Sequence, residues 1–252
     1  MKHDERHHLK ENELAKALGG AQEFLGPRAK PLGLTVVGIV AVALLVGGFL
    51  VVRQRSQARG QELLAEALVA LDARVVPASA PGAEGEGPAA AQFSATGTFS
   101  TEAAKLNAAL PKLKVAADAY PDQPAGITAR YHMAGALAAL GRHAEAITAF
   151  DDVTNRAGAN TLYGRMARLG KADAQAKTGQ LDAAIASWKT MVTQDSAELP
   201  VDAILIELAR AYVTKGDAAE AKQAFTQIVD QHPDSPYVQE ARTGLESLSA
   251  AS

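Results

Sequence analysis

Residues 202–235 read DAILIELARAYVTKGDAAEAKQAFTQIVDQHPDS, and this stretch decides the fold. Apolar residues recur at three- and four-residue intervals on either side of Gly216, which is the spacing of one face of a helix. The second run stops at Pro233, which cannot continue a helix. The stretch therefore predicts two short helices joined by a tight turn at a glycine. Its apolar and small positions are Leu205, Leu208, Ala209, Tyr212, Ala221, Phe225 and Ile228.

The same pattern occurs twice upstream. The segments GRHAEA at 141–146, GQLDAA at 179–184 and GDAAEA at 216–221 share a first glycine and a sixth alanine, with spacings of 38 and then 37 residues. An aromatic follows each alanine after four residues, and the three rings are Phe150, Trp188 and Phe225. Glycine permits the turn, alanine lets the helices approach, and the ring fills the gap between units. Repeats of this length predict an all-α solenoid of stacked helix pairs.

This pattern resembles the tetratricopeptide repeat. The resemblance implies a repeat domain over 100–248, with regular copies at 127–160 and 202–235 and a capping helix from Pro236 to Leu248. The middle copy has a less regular first helix, expected to start near Thr161. Positions that depart from the family pattern are Arg130, Gly158, Lys171 and Gln175. A degenerate repeat precedes these copies, with residues 57–73 as its first helix and its second helix marked by Ala109, Leu113, Ala116 and Pro121.

In such domains the first helices line a concave groove that holds peptides. The resemblance implies that the inward positions are Thr128, Tyr131, Gly135, Ala138, Met166, Leu169, Ala203, Ile206, Arg210 and Val213. They are mostly apolar or small, and they lack the Lys, Arg and Asn set that clamps acidic peptide C-termini. Two interpretations stay open: the groove binds proteins or extended polypeptides, or several of these side chains simply pack against a neighbouring helix.

An uninterrupted apolar run extends from Leu34 to Val52. Its 19 residues form roughly 28 Å of helix, which matches the hydrocarbon thickness of a bilayer. Basic residues stand at both ends, and the run ends on Arg53 rather than on a small-residue cleavage site. The sequence therefore predicts a single transmembrane helix over 33–53, in contact with the lipid bilayer, rather than a signal peptide or a buried core helix.

The other segments follow from composition. Residues 1–32 form a charged N-terminal segment, and 54–75 form a juxtamembrane helix that either continues the span or restarts near Gly60. Residues 76–99 are rich in Pro, Gly and Ala and predict a flexible loop. Helical order is expected to return at Thr101, with a kink or restart at Pro111.

Several classes of function are disfavoured by the residues. The net charge is −3, divided as six Lys/Arg against five Asp/Glu in 1–32 and 19 against 23 in 53–252, so no basic field suits nucleic acid. The chain contains no cysteine. The histidines lack partners at catalytic or metal-binding spacing; they are His3, His7, His8, His132, His143 and His232. We expect no enzyme activity, no metal and no cofactor.

The order of segments adds a second resemblance. A short charged N-terminus, one span, a helix leading out of it and a capped repeat domain are similar to the bacterial ancillary translocon subunit family of the inner membrane. That resemblance implies partners among the SecYEG translocon and periplasmic chaperones, with the N-terminus cytoplasmic and the repeat domain periplasmic. A scaffold for envelope or outer-membrane assembly complexes is the alternative. Charge does not decide the orientation, because three Lys/Arg flank each side of the span within 20 residues.

Overall fold

Residues 29–76, 98–194 and 199–250 are described by a computed structural model, with side chains described from residue 38 onward. The chain divides into two units, residues 1–56 and 57–252. Nine helices lie within the described residues: α1 Ala29–Leu71, α2 Glu102–Ala119, α3 Pro124–Ala139, α4 His143–Ala157, α5 Leu162–Lys177, α6 Leu181–Gln194, α7 Val201–Lys215, α8 Ala218–Gln231 and α9 Val238–Ala250. Two short strands, β1 Arg74–Val75 and β2 Thr98–Phe99, complete the elements.

Helix α1 carries the apolar run. Within the described residues it is the one helix long and apolar enough to cross a membrane, with a candidate span that starts at Gly38. The large apolar side chains between Ile39 and Val52 are exposed, so none of the described residues covers them. The helix begins at Ala29, before the predicted boundary at residue 33, and it does not break at Gly60. Residues 1–28 of the charged N-terminal segment, with their three histidines, lie outside the described residues.

The C-terminal part of α1 belongs to the core of the second unit. Leu64 and Ala67 are buried together with Leu106 and Ala109 of α2. A Cβ placed on Gly60 would lie 3.3 Å from the Tyr120 ring, so this glycine allows Tyr120, which follows α2, to approach α1 closely. Residues 57–71 thus act as the first helix of an incomplete repeat whose second helix is α2, which is the pairing that the sequence predicts.

A parallel bridge between β1 and β2 corrects the predicted boundaries around the loop. Arg74 pairs with Thr98 and Val75 with Phe99, and the Val76 N–H donates to the Phe99 carbonyl at 2.8 Å. The predicted helix to residue 75 therefore ends at Leu71, and the predicted loop 76–99 gives up its last two residues to a strand. Alternating valine, threonine and phenylalanine favour extended backbone here. Residues 77–97 lie outside the described part of the chain.

Helix α2 excludes one of the two alternatives predicted at Pro111. It runs from Glu102 to Ala119 with Pro111 inside it, so the helix does not restart there, and the kink stays a prediction. Leu106 and Leu113 are buried on either side of Pro111, and this packing holds the helix where proline removes one backbone hydrogen bond. The predicted start is correct: Thr101 caps the helix through a hydrogen bond from the Ala104 N–H at 3.1 Å.

The three predicted glycine turns share one geometry. Gly141, Gly179 and Gly216 have φ values of 76°, 79° and 84°, a left-handed conformation in which a side chain is strained. In each turn the N–H of the next residue bonds back to a carbonyl near the end of the preceding helix, as from Asp217 to Tyr212 at 2.9 Å. The pairs α3/α4, α5/α6 and α7/α8 are thus equivalent units of an all-α repeat solenoid, which confirms the predicted fold class.

Aromatic rings join successive units as predicted. Phe150 of α4 packs on Gly170 of α5, where an added Cβ would lie 2.5 Å from the ring. Phe225 of α8 packs on Gly244 of α9 at the same distance. Each of these rings therefore fits the next helix only because that helix carries a glycine. Helix α9 closes the solenoid by burying Val238 and Ala241.

Candidate functional site

The first helices of the three regular units, α3, α5 and α7, carry the predicted groove residues; we call their exposed surface the inner face. Gly135 is exposed on α3, while Met166 and Leu169 of α5 and Ala203 of α7 are half-buried. Val213 is 48% exposed. Thr128, Met166 and Ala203 follow each other at 38 and 37 residues, and all three are half-buried, so this position recurs on the three first helices.

Ile206 does not belong to the exposed surface. It is 1% exposed and lies in the hydrophobic core cluster that includes residues of α5 to α9. Its place in the groove is therefore a correction: at this position the predicted inward side chain packs inside the protein, as the second interpretation of the sequence foresaw. A large apolar residue gains more from the core than from the surface.

An aromatic cluster lies at the α3 end of the inner face. The ring of Tyr131 is 5.6 Å from Tyr163 of α5, 5.7 Å from His132 and 6.1 Å from Phe150. Burial is the main cause that raises the pKa of Tyr131, followed by Tyr163 and Asp173. The pKa of His132 is lowered, chiefly by burial. Half-buried rings of this kind offer a flat apolar surface with a polar tip.

Arg210 is paired within the protein. Its Nε and Nη2 donate to the two carboxylate oxygens of Glu240 at 2.7 and 2.6 Å, and Nη1 donates to Glu207 at 2.6 Å. The hydrogen bonds from Arg210 are the main cause that lowers the pKa of Glu240. This bidentate pair connects α7 to the capping helix α9, so the guanidinium is engaged and does not face the groove as a free cation.

Asp173 of α5 is the residue that the sequence analysis missed. It lies 38 residues after Gly135 and 37 before Arg210, so the register that gave those two positions also gives Asp173. Its carboxyl group lines a cleft of about 330 Å³ between α5 and α7, shared with Lys177, Trp188, Glu207 and others. We call this space the Asp173 cleft. No ion pair to Asp173 forms within the described residues.

The electrostatics of the Asp173 cleft are unbalanced. Desolvation raises the pKa of Asp173 to about 6, although the residue as a whole is exposed, and the negative charge of Glu207 adds to the rise. Trp188 and Lys177 oppose it more weakly. The buried indole nitrogen of Trp188 completes no hydrogen bond among the described residues, so its influence on Asp173 is that of a nearby donor without a well-formed bond.

A second cleft is lined by residues of α2, α3 and α4. It measures about 870 Å³ and has an apolar floor that includes Leu110, Met133 and Leu137. Buried Arg130 crosses it: its guanidinium pairs with Asp152, lies 3.4 Å from Asp118 and donates to the Ala117 carbonyl at 3.0 Å. Arg130, which departs from the repeat pattern, therefore joins α2, α3 and α4 through charge-assisted bonds.

The described ranges hold no group of three His, Asp or Glu residues that could bind a metal ion. His132 makes an edge-to-face contact with Tyr131, and His143 and His232 are half-buried at helix boundaries. The site that these observations define is a protein surface lined by first helices, typical of helical repeat proteins that bind other proteins.

Comparison with known proteins agrees with this class. The tetratricopeptide repeat family model matches residues 200–245. Among solved structures, a tetratricopeptide repeat protein from Parabacteroides merdae is 16% identical, with a TM-score of 0.50 over 59% of this chain. The match spans 55% of the length of that structure. No curated protein matches the chain.

Two further solved structures are similar to part of this chain. MamA from Desulfovibrio magneticus RS-1 is 23% identical over 58% of this chain and 81% of its own, with a TM-score of 0.47. A putative kinesin light chain with TPR-like repeats from Podosopora anserina is 21% identical over 58% of this chain and 86% of its own, with a TM-score of 0.47. The family model and the Parabacteroides structure support tetratricopeptide-like repeats in this chain, and repeats of this kind are protein-interaction modules.

Proposed function

We propose that this protein is a membrane-anchored interaction module whose inner face binds extended segments of other polypeptides. The observation that carries the proposal is the row of exposed or half-buried apolar and small residues on three successive first helices, from Tyr131 through Leu169 to Val213. Such a row offers repeated apolar contacts to an extended chain. The exposed apolar surface of α1 supports anchoring in a bilayer.

The partners proposed are translocated polypeptides, the SecYEG translocon and periplasmic chaperones. The support for this finer assignment is the order of segments: a charged N-terminus, one apolar helix and a capped repeat domain. With these partners, the role of the protein would be to help translocated polypeptides fold or move on.

Site-specific photo-crosslinking in bacterial cells tests the proposal. A photoreactive amino acid at Leu169 or Val213 reports on the inner face, and one at Gln223 or Thr226 of α8 is the matched control, because these residues are exposed on a second helix. We expect adducts with other polypeptides from the inner positions and few from the controls. The adducts are identified by mass spectrometry.

The identity of the adducts separates the levels of the proposal. Translocon subunits, periplasmic chaperones or newly translocated proteins among them would support the finer assignment. Adducts with other proteins, still confined to Leu169 and Val213, would support the inner face as a binding surface and reject the translocon assignment. Equal crosslinking from both helices would reject the inner face itself.

A further inference from the structure

In two units the aromatic ring of the second helix packs on a glycine of the next helix. In the unit that contains Trp188 this glycine is absent, and the Asp173 cleft lies there. Gly170 and Gly244 receive Phe150 and Phe225, and the position 37 residues after Gly170 and 37 before Gly244 is Glu207. The ring of the intervening unit, Trp188, therefore meets a helix that carries a carboxylate in place of a glycine. Trp188 and Glu207 both line the open space of about 330 Å³ that remains.

Carboxylates outnumber free cations in this cleft. Asp173 and Glu207 lie in it and Glu240 borders it through Arg210. Arg210 gives its donors to Glu207 and Glu240, and Lys177 makes no ion pair with Asp173. Lys177 and Arg210 together carry two positive charges against three carboxylates, so one negative charge is in excess in this group of side chains.

A polar group close to Asp173 has no hydrogen-bond partner among the described residues. Trp188 is 1% exposed and lines the cleft, yet its indole N–H makes no hydrogen bond among the described residues. Gly135 holds the corresponding position of α3, and a Cβ added to it would have no atom within 4 Å, so the surface of α3 is open at this position. Leu169 and Ala176 offer apolar surface to the stem of a long side chain.

We infer, on the basis of the proposed function, that the Asp173 cleft binds a lysine or arginine side chain of the polypeptide held on the inner face. The cationic head pairs with Asp173 and Glu207, and its methylene stem lies along α5. An acidic side chain or a peptide carboxylate is disfavoured, because Arg210 is already engaged by two glutamates and the carboxylates around the cleft outnumber its two cations, Lys177 and Arg210.

The test uses the full chain in a non-ionic detergent and two neutral-labelled, end-blocked nine-residue peptides of alanine and leucine. One peptide has a single central lysine and the other a glutamine. Fluorescence anisotropy at pH 7.5 should give a Kd about five- to tenfold lower for the lysine peptide, the range of a partly exposed charge-assisted contact. Asp173→Asn should reduce this ratio to about two or less, and Glu207→Gln should reduce it in part.

Asp230→Asn is the matched control, because Asp230 is exposed on α8, away from the inner face. It should leave the ratio unchanged. Lowering the pH to 5 should also reduce the ratio in the parent protein, since a pKa of about 6 leaves Asp173 mostly protonated there while lysine stays charged. The charged or titratable groups that face Asp173 are Lys177 of its own helix, Glu207 and Arg210 of α7, and Tyr131 of α3.

Equal affinities for the two peptides in the parent protein, or a lysine preference that survives Asp173→Asn, would overturn this inference and leave the inner face as a peptide-binding surface. Failure of both peptides to bind would overturn the inference and the proposed function together. Circular dichroism of each variant confirms that a changed ratio does not come from unfolding.

Discussion

Glycines inside helices of the repeat domain stand in contrasting surroundings, and the contrast shows which steric contacts hold the units together. Gly170 of α5 faces the Phe150 ring with no space for a methyl group, whereas Gly135 of α3 has nothing within 4 Å of the same point. Both have ordinary helical backbones, so their substitution by alanine changes helix propensity in the same direction. Only packing separates them.

We expect Gly170→Ala to lower the free energy of unfolding by about 1–3 kcal/mol, because an added Cβ would lie 2.5 Å from the Phe150 ring and force repacking. Gly135→Ala should raise it by up to about 1 kcal/mol through helix propensity alone. Urea unfolding of the full chain in detergent measures both, with Trp188, the single tryptophan, as the fluorescent probe. A Gly170→Ala protein as stable as the parent would contradict ring-on-glycine packing.

At the scale of elements, α1 contributes to both units, since its C-terminal turns complete a core whose other members come from α2 and α3. Leu64 is 7% exposed in that core and Val69, on the same helix, is 73% exposed. The Glu66 carboxylate also receives a hydrogen bond from Lys112 of α2 at 2.9 Å. The helix that leaves the apolar run is therefore an integral part of the repeat domain.

Leu64→Ala should destabilise the second unit by about 2–3 kcal/mol, the usual cost of a cavity in place of a buried leucine. Val69→Ala, the control on the exposed face, should change stability by less than about 0.5 kcal/mol. Thermal melts followed by circular dichroism distinguish the two. If both variants melt like the parent, residues 57–71 do not pack as the first helix of a repeat.

At the scale of the whole molecule, the sequence predicts what depends on local steric requirements. The glycine turns, the alanine contacts and the rings Phe150 and Phe225 were all found from spacing, because each must occupy a fixed place in every unit. Asp173 was missed although the same register locates it, because the groove was predicted from apolar and small residues and Asp173 is neither. Ile206 was misplaced because the register gives a direction and not the depth at which neighbouring helices cover a side chain.

Two sets of contacts between residues distant in sequence were not predicted. The bridge of Arg74 with Thr98 joins residues separated by a Pro/Gly/Ala segment, and no local pattern marks it. Arg130 is recognisable in the sequence only as a departure from the repeat. Its partners Asp118 and Asp152 lie on two other helices, so the reason for the charge appears only when those helices are packed.

The charges that flank the apolar run are balanced, so they do not decide the orientation in the membrane. The proposed function depends on that orientation. The absence of cysteine makes a direct test available. Single cysteines are introduced at Gln223, exposed on α8, and at Lys10 in the N-terminal segment, and spheroplasts are treated with a membrane-impermeant maleimide. We expect Gln223→Cys to be labelled in intact spheroplasts and Lys10→Cys only after lysis, because a repeat domain that meets translocated polypeptides must lie outside the cytoplasm.

Protease added to intact spheroplasts should then cleave after Arg53, first in the segment 76–99. The reverse labelling pattern would place the repeat domain in the cytoplasm, and the periplasmic partners proposed here would be wrong.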